Sequence, residues 1–141
     1  MTVYEIGIMR DGVLLVLREY RTTSTVDKDL KSALFSALET ASQSTFGDSL
    51  DFIQLKTMGI IYSKSPDDEG KFVVYAICDR NTDFKFVRGI LSKILEQFLK
   101  DYSDNLDSPK RADYTKFREK IDVFLKDLSE SPEERAKSLF R

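Results

Sequence analysis

The chain has 141 residues, of which 41% are apolar and 33% charged, and a formal net charge of −2. That length fits one domain of ordinary size, able to bury well over half of its unfolded surface without staples. With no histidine and a single cysteine, Cys78, the sequence excludes an intramolecular disulfide, a Cys/His zinc site and the nucleophile–histidine pairs of hydrolases.

The charge is spread along the chain, without the strong basic excess that nucleic-acid binders carry, so no nucleic-acid partner is expected. No apolar run approaches 18 residues, and stable membrane insertion is not expected either. The segment Met1–Ile6 lacks the basic region and apolar core of a signal peptide. Thr2 excludes N-myristoylation, and the C-terminus is not a prenylation box. The expected location is the cytoplasm, with any membrane reached through partners.

In chain order, Val3–Met9 and Val13–Tyr20 form a predicted β-hairpin, since Asp11-Gly12 supplies the positive φ angles of a tight turn. Val13–Leu17 and Phe72–Cys78 are continuously apolar instead of alternating, which predicts strands covered on both faces. A helix is predicted near Asp27–Thr45, with Thr25 or Asp27 as its cap and Gly47 as its end. It places Leu30, Ala33, Leu34, Ala37, Leu38 and Ala41 on one stripe, rich in alanine and suited to close approach to a sheet or another helix. Phe35 lies off the centre of that stripe.

Phe52–Tyr62 is one long apolar segment broken only by Gly59, so it is either one bent strand or two short ones. The polar loop Ser63–Lys71, with Pro66 and Gly70, joins it to Phe72–Asp79. A second helix follows, with Phe84, Val87, Leu91, Ile94, Leu95, Phe98 and Tyr102 on its apolar face and Asn81, Thr82 or Asp83 as its cap. After the linker Ser103–Ser108, Ser108-Pro109 signals a third helix with Tyr114, Phe117, Ile121, Phe124, Leu125 and Leu128 on one face. Ser131-Pro132-Glu133-Glu134 has the form of a capping box for a short tail helix carrying Ala136, Leu139 and Phe140.

This order resembles the longin fold, also called SNARE-like or profilin-like. The resemblance spans about residues 3–128. Its cues are the opening hairpin with Asp11-Gly12, the run Phe72–Asp79, the long helix after it, and Asp113–Asp122, which is similar to the last helix of small (sigma) adaptor subunits and stand-alone longins. It implies an α+β domain over residues 1–129: an antiparallel five-stranded sheet between one helix and two helices, with residues 130–141 as a short helical tail. It requires three strands between the first two helices, which needs a break near Thr57–Gly59. A roadblock domain is a close cousin that normally starts with a helix, whereas this chain starts with a strand.

The function implied is a non-catalytic protein-interaction module of vesicle-trafficking or small-GTPase-regulating machinery. Its expected partners are a small GTPase or another longin or roadblock domain, with a homodimer as one form. No cofactor and no metal are expected. Candidate contacts are Phe35, Phe86, Val123, Leu139 and Phe140; an exposed aromatic is a good anchor, although Phe35 fits equally well as the wide edge of a buried face. Cys78 is expected to be a buried structural thiol, Asp67-Asp68-Glu69 a solvated turn and not a calcium loop, and Arg80 and Arg88 ordinary surface residues. The basic tail residues Arg135, Lys137 and Arg141 leave cis docking, a protein partner and an anionic membrane all open for the last helix. The alternative functions are a small-molecule sensor on a profilin- or PAS-like sheet, which needs a pocket with convergent polar groups, and a roadblock-like GTPase-regulating dimer.

Overall fold

In the computed structural model, which describes residues 3–21, 28–65, 72–102 and 114–129, the elements follow the expected order. They are β1 (Val3–Arg10), β2 (Val13–Glu19), α1 (Lys28–Phe46), β3 (Phe52–Gln54), β4 (Met58–Lys64), β5 (Phe72–Asp79), α2 (Phe84–Asp101) and α3 (Phe117–Ser129). The third strand between the helices is present. Its break falls at residues 55–57, where the Leu55 N–H donates to the Met58 carbonyl at 2.8 Å and closes a hairpin. Gly59 is not the break; it lies inside β4, where a Cβ would meet the Phe84 ring at 2.8 Å. The glycine serves close packing of α2 on the sheet and not a turn.

The five strands form one antiparallel sheet in the order β2-β1-β5-β4-β3. Asp11 (φ 50°) and Gly12 (φ 80°) make the β1–β2 turn with two successive positive φ values, as the dipeptide predicted. The continuous apolar run of β5 is explained by burial on both sides. Phe72, Val74, Ala76 and Cys78 enter one core, while Tyr75 and Ile77 enter the other.

α2 and α3 cover the first face. Val87, Leu91, Ile94, Leu95 and Phe98 of α2 and Phe117 and Ile121 of α3 pack on Ile6, Ile8, Val16 and Ile61. Asp83 caps α2 by accepting the Lys85 and Phe86 N–H groups. The Phe98 ring meets Phe72, Tyr102, Tyr114 and Phe117 at centroid distances from 5.1 to 6.3 Å. A polar latch ties α3 to β2: Arg18 Nε and Nη2 donate to the two Asp122 carboxylate oxygens at 2.9 and 3.1 Å, and the Tyr20 phenol donates to the same group. α1 covers the opposite face, completing three layers.

Several expectations fall outside the described residues. These are the caps Thr25 and Asp27, the acids Asp67–Glu69 with Pro66 and Gly70, the Ser108-Pro109 helix start, and the tail with Leu139 and Phe140.

Candidate interaction surface

α1 lies on the sheet with its polar side inward. Lys31 Nζ donates to Glu5 Oε1 at 2.9 Å, and the Tyr75 phenol donates to Glu5 Oε2 at 2.5 Å. Glu5 is fully buried. Burial and the bond to Glu5 push the Tyr75 phenol far above its ordinary pKa, so it stays a donor. The Tyr75 ring fits there because residue 7 is glycine; a Cβ would stand 2.3 Å from the ring. Further along, Glu39 accepts the Leu50 N–H at 2.9 Å and pairs with Lys64. The one large apolar side chain that α1 buries is Phe35, edge-on to Tyr75 at 4.9 Å and to Tyr62 at 5.8 Å.

The expected contact role of Phe35 is therefore corrected: it anchors α1 to its own sheet. The reason is the Glu5 carboxylate, buried in the sheet face beneath among Met9, Ile60, Tyr62, Tyr75 and Ile77. Had the Leu/Ala stripe turned inward, the Glu5 carboxylate would be buried without a counter-ion, which is costly. The helix is instead set about 100° round, one residue's turn, so that Phe35 replaces Leu34 at the sheet.

The consequence is an apolar stripe facing solvent. Leu30 is 62% exposed, Leu34 55% and Leu38 39%, and Ala33, Ala37 and Ala41 are exposed between them. The segment 30–41 contains two charged residues, Lys31 and Glu39, and both turn inward to the ion pairs above. The outward stripe is thus free of charge from end to end.

The outer strand β3 lies beside the far end of α1. Ser42 Oγ donates to the Asp48 carbonyl at 2.9 Å, and Gln43 Nε2 to Ser49 Oγ at 2.8 Å, tying the helix end to the segment that leads into β3. β3 is three residues long and, among the described residues, has β4 as its single strand neighbour. Phe46, Phe52 and Leu55 are exposed around it, with Phe52 leaning on Phe84 at 5.1 Å. The arginines noted in the sequence hold this edge in place. Arg88 pairs with Asp51 at 2.7 Å, and Arg80 Nη1 donates to the Lys56 carbonyl at 3.3 Å.

Phe86 and Val123 are exposed, at 40% and 69%, but they belong to α2 and α3 on the other side of the sheet. The structure does not join them to the α1 stripe. Cys78 is fully buried, and burial pushes its thiol up to about 12, so it is not a reactive thiolate. Among the described residues, no group of three His, Cys, Asp or Glu side chains could hold a metal ion, and no helix is long and apolar enough to cross a membrane.

Leu30, Leu34 and Leu38 were recognisable in the sequence as one face, but periodicity reports which residues share a face and not what covers it. The available signal was the opposite face. Lys31, Ser32, Ser36 and Glu39 alternate there with Phe35, a pattern that matches a sheet presenting Glu5, Tyr75 and Lys64.

No protein-family model matches the chain, and no curated protein matches it. Among solved structures, the chain is similar to the Roadblock/LC7 domain from Streptomyces avermitilis, with a TM-score of 0.53 and 16% sequence identity over 74% of this chain and 88% of that one. The likeness is one of fold, and it supports the broader longin-like expectation without singling out the small adaptor subunits. A five-stranded antiparallel sheet with one helix on one face and two on the other gives this chain the roadblock/longin-like fold.

Proposed function

We propose that the chain is a non-catalytic pairing module, in which two copies join through the outward stripe of α1 and the neighbouring β3 edge. The observation that carries this reading is the inverted helix: α1 spends its polar groups on the sheet and presents Leu30, Leu34 and Leu38 to solvent. A monomer has no use for that arrangement, since each exposed leucine forgoes roughly 1.5–3 kcal/mol of burial. A second copy suits the stripe. A two-fold contact needs a self-complementary patch, and a charge-free stripe puts no like charges opposite each other. The alanines let two helix backbones approach closely. The free side of β3 offers backbone groups to an antiparallel partner strand next to the helix pair.

Sedimentation equilibrium from about 1 to about 100 µM tests this. The wild-type chain is expected to dimerise, and Leu34→Asp/Leu38→Asp to remain monomeric with an unchanged circular dichroism spectrum. A wild-type monomer throughout that range would end the proposal.

The finer reading, service to a small GTPase or to vesicle-trafficking machinery, rests on the sequence resemblance. In that reading Phe86 and Val123 contact a third protein from the α2/α3 side, and Leu139 and Phe140 do so from the tail. Binding of purified small GTPases to the wild-type chain, lost in Phe86→Ser/Val123→Ser, is the expected result. Equal binding by both chains would remove these residues from the contact.

A further inference from the structure

The inner side of α1 is a poor match for most of what it covers. Lys31, Ser32, Ser36 and Glu39 turn toward the sheet. The sheet face beneath carries Met9, Ile60, Tyr62, Tyr75 and Ile77, and among the described residues Phe35 is the one large apolar side chain of α1 buried with them. A partly open space of about 150 Å³ remains beside Phe35, bounded by Met9, Tyr62 and Val73. The Tyr62 hydroxyl is buried without a hydrogen-bond partner among the described residues, so the polar side of the helix does not satisfy it. Leu30, Leu34 and Leu38 meanwhile stand in water on the outer side. Hydrophobic burial alone favours turning the helix about its axis, so that the apolar stripe meets the apolar floor.

Two ion pairs oppose that turn, and they are unequal. Glu39 and Lys64 are both partly exposed, so each reaches water when the pair separates. Glu5 does not. Its side chain is fully buried under α1, where it accepts from Lys31 Nζ at 2.9 Å and from the Tyr75 phenol at 2.5 Å. A carboxylate that loses its cation and cannot reach water carries a heavy penalty, so α1 stays where Lys31 can meet it. A buried pair of this kind adds little stability beyond well-packed apolar groups, but it can fix one arrangement against another.

We propose that the Glu5–Lys31 pair is an orientation lock. α1 has two seats on the sheet: polar side inward while the pair is present, and leucines inward once both charges are removed. The outward stripe exists only in the first seat. The consequence for association rests on the pairing reading above, whereas the turn of the helix is a property of the single chain.

The test compares the full wild-type chain with Glu5→Leu/Lys31→Met. Each carries one reporter thiol, Ala37→Cys on the outward stripe or Ser32→Cys on the inward side, and the native Cys78 is buried. Thiol labelling is followed at a dilution where the chains are monomers. In the wild-type background Ala37→Cys is expected to label at least about tenfold faster than Ser32→Cys, because an inward thiol reacts only through local opening. In Glu5→Leu/Lys31→Met the order is expected to reverse, with a cooperative thermal melt showing a folded chain. Phe35→Ala, which removes the ring and keeps the lock, is expected to leave the wild-type order. At higher concentration, sedimentation equilibrium is expected to find Glu5→Leu/Lys31→Met monomeric although every residue of the stripe is unchanged. The proposal is overturned by the wild-type order in the folded double variant, or by reversal in Phe35→Ala with the lock intact. It is equally overturned by a double variant that no longer folds, since the leucine-inward seat would then not hold α1. A wild-type chain that never dimerises, but whose labelling order reverses on loss of the pair, would sink the pairing reading and keep this one.

Discussion

α1 and α2 are both amphipathic helices packed on the same sheet, and they solve opposite problems. α2 places Val87, Leu91, Ile94, Leu95 and Phe98 against an apolar sheet face and leaves Lys93 and Glu96 in water. α1 does the reverse, holding the sheet through Lys31–Glu5, Glu39–Lys64 and the single ring of Phe35 while its leucines face outward. The difference lies in the sheet. One face is built from Ile6, Ile8, Ile61, Val74 and Ala76, and the other sets Glu5 and Lys64 among Met9, Ile60, Tyr62, Tyr75 and Ile77. A helix orients by what lies beneath it. The larger apolar core lies on the α2 side, and the α1 side carries the stripe on which the proposed pairing rests.

The contrast predicts a graded set of mutational effects. Phe98→Ala strikes the α2 side at its aromatic hub and should cost about 3–5 kcal/mol of unfolding free energy in urea titration. A loss below about 1 kcal/mol would move the main core elsewhere.

Lys31→Met should cost about 3 kcal/mol, because it leaves the buried Glu5 carboxylate with Tyr75 as its one remaining partner among the described residues. Glu5→Leu/Lys31→Met should recover most of that loss, since a buried pair replaced by apolar groups is often neutral. No recovery would show that the pair positions α1 in a way that packing cannot.

Leu34→Ala/Leu38→Ala should change the stability of the dilute chain by less than about 0.5 kcal/mol, as expected for exposed sites. It should, however, abolish the rise of Tm with protein concentration that pairing gives the wild type. An undiminished concentration dependence would place the pairing face elsewhere.

The smallest effect belongs to the α3 latch. Partial burial pulls the Asp122 pKa up, but the Arg18 and Tyr20 hydrogen bonds outweigh it and leave the carboxyl below its ordinary value. A depressed folded pKa means that the stabilisation is present above the unfolded pKa of about 3.9 and is lost as pH falls through the lower, folded value. Asp122→Asn should thus cost less than about 1 kcal/mol at neutral pH, since the pair is partly exposed. The difference from wild type should vanish in acid. A difference that grew on acidification would reverse the sign assigned to this group.

The fold was legible because its signals were local. Asp11-Gly12 can scarcely avoid a tight turn, the unbroken run Phe72–Cys78 announces two covered faces, and Asp83 lies one residue ahead of a strongly periodic helix. The β3–β4 break was legible only through the strand count of the resemblance, which asked for it near Thr57–Gly59, and its place at residues 55–57 was not. Leu55-Lys56-Thr57 contains no glycine or proline, and Gly59 drew attention through a packing role that depends on Phe84, 25 positions later in the chain (84 − 59). The candidate surface was half legible. The stripe Leu30–Ala41 could be read from spacing, but its outward orientation depends on Glu5 and Tyr75, 70 residues apart in sequence and joined only once β1 pairs with β5. No periodicity within α1 contains that information. The choice between the two readings of Phe35, a partner contact or the edge of a buried face, was not legible for the same reason.

The central claim is that the outward stripe of α1 meets its own copy. Oxidative cross-linking of Ala37→Cys tests it most directly, because the native Cys78 is buried and does not compete. Lys93→Cys, on the exposed face of α2, serves as the control. Two-fold helix pairing predicts a covalent dimer from Ala37→Cys at low micromolar concentration and none from Lys93→Cys. Equal yields from both, or none from Ala37→Cys while the wild-type chain is dimeric, would contradict it.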